Sequence, residues 1–262
     1  DKMKMSKSKG NVAEPFSLVE KHGADAIRFW CSNTPLGTDS AYSEDRLDVG
    51  KKFITKLWNT LKFTIQNEIL RQISPSQIHN NVDFWVLGEL QKTIAEYVGY
   101  MEKMDYFHAR KSIDSFFWNI FCDNYLEFIK IRYYGAKAFI YKEKTLSQEE
   151  ITKIEASKNS AVQTVFFVMK GILSIYSPFC PFICEKVHSI LFNSKSLHSQ
   201  GFFANFQNEI GTINIPKTNG EEWLAVVDSF RKHKTENTTE EFFKHNNFNN
   251  LPQEIQQYMG IL

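Results

Sequence analysis

The chain has 262 residues, of which 42% are hydrophobic and 15% aromatic, and its formal net charge at pH 7 is +1. Such a composition excludes an intrinsically disordered chain, and the near-neutral charge excludes nucleic-acid binding through a global positive field. No apolar run approaches a membrane-spanning length, and the four cysteines lack the spacing of a disulfide framework. We therefore predict a folded, cytoplasmic protein without a membrane partner, in which any nucleic-acid binding comes from local basic faces.

The first ten residues form a polar loop with lysines at positions 2, 4, 7 and 9 and mostly small residues between them. Between Lys2 and Gly10 there is no acidic residue, histidine or cysteine, so the loop offers neither a general base nor a metal ligand. Its ammonium groups, hydroxyls and backbone N–H donors suit an anion such as a phosphate. A solvated terminal tail would show the same composition.

Two short helices are predicted directly after this loop, over 15–20 and 24–32, because Gly23 is placed to end the first of them. The next stretch, residues 33–45, is rich in turn-forming residues. It is therefore predicted to be a connector.

A long amphipathic helix is predicted from about Arg46. Its apolar residues fall on one face at the helical spacing of 3.6 residues; they are Ile54, Leu57, Trp58, Leu61 and Ile65. Lys52, Lys56 and Phe63 cluster on the opposite face, with Asn59 nearby. Lysines contact RNA phosphates and an aromatic ring can stack on a base, so this strip is a candidate RNA contact. Alternatively, Phe63 packs against a second helix and the lysines are only solvated.

Further helical runs follow along the chain. Apolar residues repeat at helical spacing over 82–104, over 106–134, from Ser147 to Pro178, and after Pro181. Ser147 is a predicted helix cap, because a carboxylate follows it three residues later. Several amphipathic helices joined by short breaks make a helical bundle.

The helix over 106–134 ends in a cluster of basic and aromatic residues that includes Lys130, Arg132 and Tyr133. Cations suit a helix C-terminus because of the helix dipole alone. The same group could also contact RNA by stacking and by phosphate binding, so these three residues are candidate RNA contacts.

Cys180, Cys184 and His188 lie four residues apart, and therefore on one face of the last predicted bundle helix. Adjacent turns of one helix do not readily converge three ligands on a tetrahedral ion, and no partner Cys-x-x-Cys pair is present. We interpret these residues as part of the core and predict no protein-bound metal.

The C-terminal part of the chain has a weaker pattern. Residues 197–216 carry apolar residues separated by turn residues, which indicates irregular or short β structure. A helix is predicted over 221–233, and a linker or frayed helix over 235–250. The predicted fold is mainly α, a helical bundle followed by a small irregular α/β segment.

Lys4-Met5-Ser6-Lys7-Ser8 spells KMSKS, and the chain there resembles the class I aminoacyl-tRNA synthetases. Other segments resemble the same family; they are His22–Trp30, Gly37–Tyr42, Lys56–Phe63, Asp83–Trp85, Phe117–Glu127, Ser177–Ile183 and Leu197–Gly201. Among them, Gly37–Tyr42 and Lys56–Phe63 resemble its valyl type most closely. The resemblance fades beyond these segments.

The resemblance implies three regions along the chain. Residues 1–45 are expected to be a catalytic-domain remnant with the KMSKS loop and a contact region for the inner corner of the tRNA. Residues 46–196 are expected to be the helical anticodon-binding bundle, and 197–262 a small C-terminal segment. The nucleotide-binding fold with its HIGH motif, and the editing domain, are expected upstream, so the chain alone is expected to be inactive.

The activity implied by the resemblance is the ATP-dependent ligation of valine to its tRNA, with Mg²⁺ carried on the nucleotide. Lys7, assisted by Lys4, is expected to stabilise charge on the ATP phosphates during adenylation, with Ser6 and Ser8 completing the cradle. The expected partners are a valine-type tRNA, and ATP and valine through the missing catalytic half; the protein is expected to be a monomer. Isoleucyl or leucyl specificity, and a stand-alone helical RNA-binding or assembly module without catalysis, are the alternatives.

Overall fold

The computed structural model describes residues 5–10, 12–39, 42, 44–67, 73–135, 147–192, 195–199 and 201–261. These residues are predominantly helical and contain no β-strand, which confirms the predicted mainly α fold. Within the same ranges, every helix falls short of the length and apolar character that crossing a bilayer requires.

Twelve α-helices are found in the described residues. In chain order they are α1 (Pro15–His22), α2 (Ala24–Cys31), α3 (Glu44–Thr64), α4 (Asn81–Glu102), α5 (Tyr106–Ser115), α6 (Leu126–Tyr134), α7 (Gln148–Tyr176), α8 (Pro181–Phe192), α9 (Phe202–Gly211), α10 (Gly220–Thr235), α11 (Thr239–His245) and α12 (Gln253–Met259). A π-helical segment, Phe116–Tyr125, joins α5 to α6.

The helices pack into two compact units that do not follow the order of the chain. Unit 1 consists of Asp1–Arg71, Thr93–Asp114 and Met169–Asn208, and unit 2 of Gln72–Lys92, Ser115–Val168 and Glu209–Leu262. Helices α4, α7 and α9 therefore contribute residues to both units. The expected regions 1–45, 46–196 and 197–262 stay a prediction, because these units reflect packing alone.

The predicted cap of α7 is confirmed. The hydroxyl of Ser147 accepts a hydrogen bond from the N–H of Glu150 at 3.2 Å, and the N–H of Ser147 donates to the Glu150 carboxylate at 2.8 Å. This reciprocal pair satisfies two N–H groups that the first turn of a helix otherwise leaves free.

The prediction of irregular or β structure over 197–216 is wrong for residues 202–211, whereas 197–199 and 212–216 are irregular. Phe202–Gly211 is a helix, in which Phe206 and Ile210 are buried four residues apart. The apolar spacing in this segment is therefore helical, and the turn residues on either side concealed it. Helix α12 is also absent from the sequence prediction, which ended its structured elements before residue 250.

The core of unit 1 is built where α2 crosses α3. The two backbones approach closely at Ala26 and Gly50, which leaves no room for a side chain at residue 50. Beside this crossing, the ring of Phe53 stacks on Phe29, with 4.9 Å between the ring centroids, and lies 4.4 Å from the ring of Tyr176. The crossing of α2 and α3 therefore fixes the aromatic core.

The apolar face predicted for α3 is partly wrong. Leu57 and Leu61 are buried, as predicted, but Ile65 is 39% exposed and lies beyond the helix end. Phe53, which the prediction left out, is fully buried. The buried face is thus rotated from the predicted one and includes the small residue Gly50.

Unit 2 is organised around the buried carboxylate of Asp83. The guanidinium of Arg132 donates to both of its oxygens, at 2.6 and 2.8 Å. The hydroxyls of Tyr125 and Ser160 donate to the same carboxylate, at 2.7 and 2.5 Å. Burial alone would lower the pKa of Arg132, yet the adjacent Asp83 raises it, so the guanidinium stays charged inside the unit.

Gly50→Ala is expected to destabilise the chain by about 1–3 kcal/mol. The added Cβ would lie 2.7 Å from the carbonyl oxygen of Ala26, and a backbone atom inside a helix crossing cannot easily yield. The measurement is the free energy of unfolding in urea.

Gly99→Ala is the matched control, because Gly99 also lies inside a helix but a Cβ there would meet nothing within 4 Å. Alanine at that position is expected to stabilise the chain by about 0.5–1 kcal/mol. A change of the same sign in both variants would contradict the proposed crowding at residue 50.

Candidate functional site

The described part of the KMSKS loop is a turn in which Met5, Ser8 and Lys9 are exposed. Lys7–Lys9 forms one turn of 3₁₀-helix, closed by a hydrogen bond of 3.1 Å from the N–H of Lys9 to the carbonyl of Ser6. The hydroxyls of Ser6 and Ser8 lie 3.1 Å apart. Lys4 and the side chain of Lys7 lie outside the described part of the chain. The described part presents two neighbouring hydroxyls and a tight backbone turn, groups that can surround an anion.

Asp25 links α2 to α8, a helix of unit 1 that is distant in the sequence. Its carboxylate accepts hydrogen bonds from the N–H groups of Phe182, at 3.3 Å, and Ile183, at 2.6 Å. These are among the first N–H groups of α8, which begins with Pro181. Asp25 therefore supplies the helix cap that Cys180, the residue before α8, does not provide.

Arg28 lies one helical turn beyond Asp25 on α2 and binds the turn that precedes α8. Its guanidinium donates to the carbonyl of Pro178 at 2.6 Å and to that of Phe179 at 3.3 Å. Asp25 accepts from the backbone after this turn while Arg28 donates to the backbone within it. We call the two side chains, with residues 178–183, the α2–α8 clamp.

The end of α2 is held by a buried guanidinium. Arg110 donates to the side chain of Asn33 at 2.7 Å and to the carbonyl of Ser32 at 3.4 Å, and it also bonds Asp114. The same guanidinium lies over the ring of Phe29, 4.4 Å from its centroid. The segment that carries the loop is therefore anchored at both α2 and the following turn.

The cysteines and histidine near the clamp belong to the core, as predicted. Cys180, Cys184 and His188 are buried, and the described residues contain no group of three or more potential metal ligands. Burial raises the pKa of both thiols and lowers that of His188. Neutral, buried thiols are poor nucleophiles. Of the four cysteines, Cys31 alone is exposed.

The predicted RNA-contact strip lies on α3. Lys52 and Asn59 are exposed, and Lys56 and Phe63 are half-buried at the edge of the same face. The four positions follow one another at helical spacing. The strip therefore presents one exposed lysine, Lys52, and the half-buried side chains of Lys56 and Phe63.

The second predicted RNA cluster does not form a surface. Arg132 is 8% exposed and is engaged by Asp83, and Tyr133 is fully buried, so both are corrected from candidate RNA contacts to core residues. Lys130 is exposed, and its ammonium lies 2.5 Å from the carboxylate of Glu127. The sequence pattern at this helix end did not distinguish cations that face water from one that faces a buried acid.

Comparisons with known proteins match two parts of the chain. A family model described as the anticodon-binding domain of tRNA ligase matches residues 83–241, which is more than half of the chain. A second model, described as tRNA synthetases class I (I, L, M and V), matches residues 1–43. The chain belongs to the tRNA ligase family with this anticodon-binding domain. This confirms the family resemblance that the KMSKS sequence and the later segments indicated.

Relatives of this tRNA ligase segment carry the name valine–tRNA ligase. The relative from Wolbachia sp. subsp. Brugia malayi is 35% identical over 239 residues, 90% of this chain and 26% of the relative. That from Rickettsia prowazekii is 36% identical over 245 residues, 90% of this chain and 28% of the relative. The chain thus spans about a quarter of the length of the curated relatives that it matches.

A solved structure is also similar to this tRNA ligase segment. It is the ternary LeuRS–tRNA–LeuAMS complex from Agrobacterium radiobacter K84, with a TM-score of 0.49 and 17% identity. The similarity covers 84% of this chain and 23% of the solved chain.

Sequence reasoning missed the α2–α8 clamp, although both of its halves lie in segments that resemble the family. The signal was indirect: α8 begins with Pro181 but has Cys180 at the cap position, where serine, threonine, aspartate or asparagine is usual. A helix start without a local cap takes its acceptors from water or from elsewhere in the chain. The identity of that acceptor could not be deduced, because Asp25 lies more than 150 residues away.

Asp25→Ala is expected to destabilise the chain by about 2 kcal/mol, because two N–H groups at the start of α8 lose their acceptor. Asp25→Asn keeps a side-chain oxygen and is expected to cost less. The measurement is urea unfolding of the three proteins.

Asp48→Ala removes a carboxylate whose ion pair with Lys51, at 3.7 Å, is exposed, so it is the matched control. A change within about 0.5 kcal/mol is expected for it. An equal loss of stability in Asp25→Ala and Asp48→Ala would show that the cap has no special role.

Proposed function

We propose that this chain works as part of a valine–tRNA ligase, where it supplies the KMSKS loop for ATP and a helical domain for the anticodon arm of tRNA. The observation that carries the proposal is the 35–36% identity, over about 90% of the chain, to proteins named valine–tRNA ligase. The matches of residues 1–43 and 83–241 to tRNA ligase models support it from two separate parts of the sequence.

The loop suits the first step of such a ligase. In that step the carboxylate of the amino acid attacks the α-phosphorus of ATP, and pyrophosphate leaves. The nucleophile is already ionised, so the need is for stabilisation of the charge that develops on the phosphates. Lys7 and Lys4 would supply positive charge, Ser6 and Ser8 would donate hydrogen bonds, and Mg²⁺ would arrive with the nucleotide. The loop has no general base of its own, and this step requires none.

The geometry of the α2–α8 clamp supports the same proposal. The KMSKS loop would stabilise a transition state only if its base is held in place. Helices α1 and α2 follow the loop directly, and Asp25 and Arg28 bind α2 to the start of α8. The base of the KMSKS loop would therefore have a fixed support within unit 1.

Specificity for valine is part of the proposal and rests on the names of the relatives. Isoleucine and leucine are the competing substrates, because the resemblance of residues 1–43 extends to the ligases of all three amino acids. Aminoacylation by the complete ligase of its tRNA with valine, isoleucine and leucine, each in turn, tests this part. Faster charging with isoleucine or leucine would refute it.

Lys7→Ala in the complete ligase is expected to slow ATP–pyrophosphate exchange by roughly 100- to 1000-fold, because one preorganised charge contact to the transition state is lost. Affinity for tRNA is expected to stay unchanged. Lys51→Ala, which removes an exposed lysine on α3, is the control and should leave the exchange rate within about threefold. An exchange rate within threefold of wild type for Lys7→Ala would refute the role of this lysine.

Lys52→Ala combined with Lys56→Ala is expected to weaken tRNA binding by about tenfold and to reduce its salt dependence, because each lost phosphate contact lowers the slope of log K against log salt by about 1. The measurement is tRNA binding at several salt concentrations.

The control for this pair is Lys92→Ala combined with Lys232→Ala, which removes the same charge from exposed positions on α4 and α10. Binding by the control should follow the wild type at every salt concentration. If both double variants lose affinity equally, only the net charge matters and the strip on α3 is a solvated face.

A further inference from the structure

A cavity of about 580 Å³ opens in unit 2 between α4 and the start of α10. Small-molecule sites measure roughly 300–1,000 Å³, so its size suits a small ligand. One wall comes from residues 85–92 of α4 and the other from residues 215–222, which lead into α10. The KMSKS loop and the strip on α3 belong to unit 1, so the function proposed above makes no use of this cavity.

The indole N–H of Trp85 is a buried donor in the cavity wall. The side chain is 2% exposed, and a Cβ added at Gly220 would lie 2.1 Å from its Nε1, so this edge of the ring faces the start of α10. Within the described ranges, the indole N–H donates to no other residue. A buried donor without an acceptor costs free energy, so the cavity favours a ligand that brings one.

The first turn of α10 adds backbone donors next to this indole. Asn219 occupies the N-cap position, but its side chain makes no cap hydrogen bond. The N–H of Trp223 bonds to the carbonyl of Asn219 at 3.1 Å. The N–H groups of Gly220, Glu221 and Glu222 precede it and have no acceptor within the helix, and all three residues line the cavity. Such a helix start, with an indole N–H beside it, suits a carboxylate.

The rim of the cavity carries charges of both signs. The ammonium of Lys92 pairs with Glu89 at 2.8 Å, so these two charges already satisfy each other. The other charged residues of the rim are Lys217, Glu221 and Glu222, which are exposed and form no ion pair in the described part of the chain. The two glutamates disfavour a simple anion, and the N–H donors disfavour a simple cation. A ligand that carries both charges satisfies both sets of groups.

Apolar groups lie between the donors and the charged rim. Ile215 and Pro216 line the cavity together with the indole of Trp85. Gly88 and Gly220 contribute no side chain that would fill the space, and a Cβ at residue 88 would already touch Ile215, at 3.6 Å. An apolar side chain of a ligand can therefore be buried here, next to the groups that hold its charges.

We propose that this cavity binds a free α-amino acid with an apolar side chain, in its zwitterionic form. The carboxylate accepts hydrogen bonds from the indole of Trp85 and from the first N–H groups of α10, with Lys217 nearby. The ammonium donates to the two glutamates of that turn, and the side chain lies against Ile215. The inference goes beyond the proposed function, because it assigns to unit 2 a ligand site that takes no part in adenylation or tRNA binding.

The test measures binding of valine, leucine and phenylalanine to this chain by isothermal titration calorimetry. N-acetylvaline, which lacks the ammonium, and valinamide, which lacks the carboxylate, are the comparison ligands. Valine is expected to bind at least about tenfold more tightly than either, because each of them loses a charged hydrogen-bonding group. Equal binding of valine and its two analogues would overturn the proposal. So would the absence of binding by all three amino acids at about 10 mM.

Trp85→Phe removes the indole N–H and keeps an aromatic ring in the wall. Valine is expected to bind this variant about tenfold more weakly, whereas valinamide, which has no carboxylate, should bind it as it binds the wild type. Trp118→Phe is the matched control, because Trp118 also belongs to unit 2 but lies outside the cavity. Unchanged affinity of Trp85→Phe for valine would refute the role of the indole. Thermal melting checks that both variants fold.

Glu221→Gln combined with Glu222→Gln tests the other end of the ligand. This double variant is expected to bind valine at least about tenfold more weakly, because the ammonium loses both carboxylates, and to bind N-acetylvaline no more weakly than the wild type does. Glu240→Gln combined with Glu241→Gln, in the first turn of α11, removes the same charge outside the cavity and should follow the wild type. An equal loss in both double variants would show that net charge alone matters. None of these measurements involves ATP or tRNA, so their failure would leave the proposed function standing.

Discussion

A charged guanidinium inside unit 2 sets the arrangement of the helices around it. Removing a charge from water costs several kcal/mol, so the structure must surround Arg132 with acceptors. Asp83 comes from the first turn of α4, and the carbonyl of Ser157 on α7 contributes at 3.3 Å. Since Arg132 lies near the end of α6, three helices meet at one charge. Apolar contacts alone allow packed helices to shift slightly along one another, whereas a bidentate ion pair fixes their relative position.

The same charge explains why unit 2 is assembled from distant parts of the sequence. Glu254, on α12, lies 3.4 Å from Arg132, although more than a hundred residues separate them in the chain. Aromatic contacts extend this connection, because the ring of Tyr258 on α12 lies 5.4 Å from that of Phe128 on α6. The C-terminal helix is therefore part of the folded unit and not an appendage.

Much of the fold could be predicted, because helical periodicity and caps are local signals. The pair Ser147 and Glu150 lies within one turn, so the start of α7 was readable from four residues. Helix α9 was missed because its apolar residues lie among turn-forming neighbours. The π-helical segment had no signal in periodicity, since its wide turn is supported by details such as the hydrogen bond of 2.6 Å from the side chain of Asn124 to the carbonyl of Asn119.

The candidate site shows the same limit: a contiguous motif could be predicted, and contacts between distant residues could not. KMSKS is a contiguous motif and was recognised from the order of its residues. Arg132 was misinterpreted as a surface cation, because the sequence around it does not reveal that a carboxylate 49 residues earlier would bury it. Asp25 was overlooked for the converse reason: its partners are backbone N–H groups, which every sequence possesses and no pattern marks.

The burial of three cysteines leaves a single thiol accessible to reagents. Cys31 is the last residue of α2, one turn beyond Arg28, so a fluorophore attached there would sit beside the α2–α8 clamp without competing for its hydrogen bonds. Burial raises the pKa of Cys31 above that of a free thiol, so alkylation would proceed best in alkaline buffer. Cys31 therefore provides a labelling site for a spectroscopic reporter beside the α2–α8 clamp, and no other cysteine of this chain has to be removed.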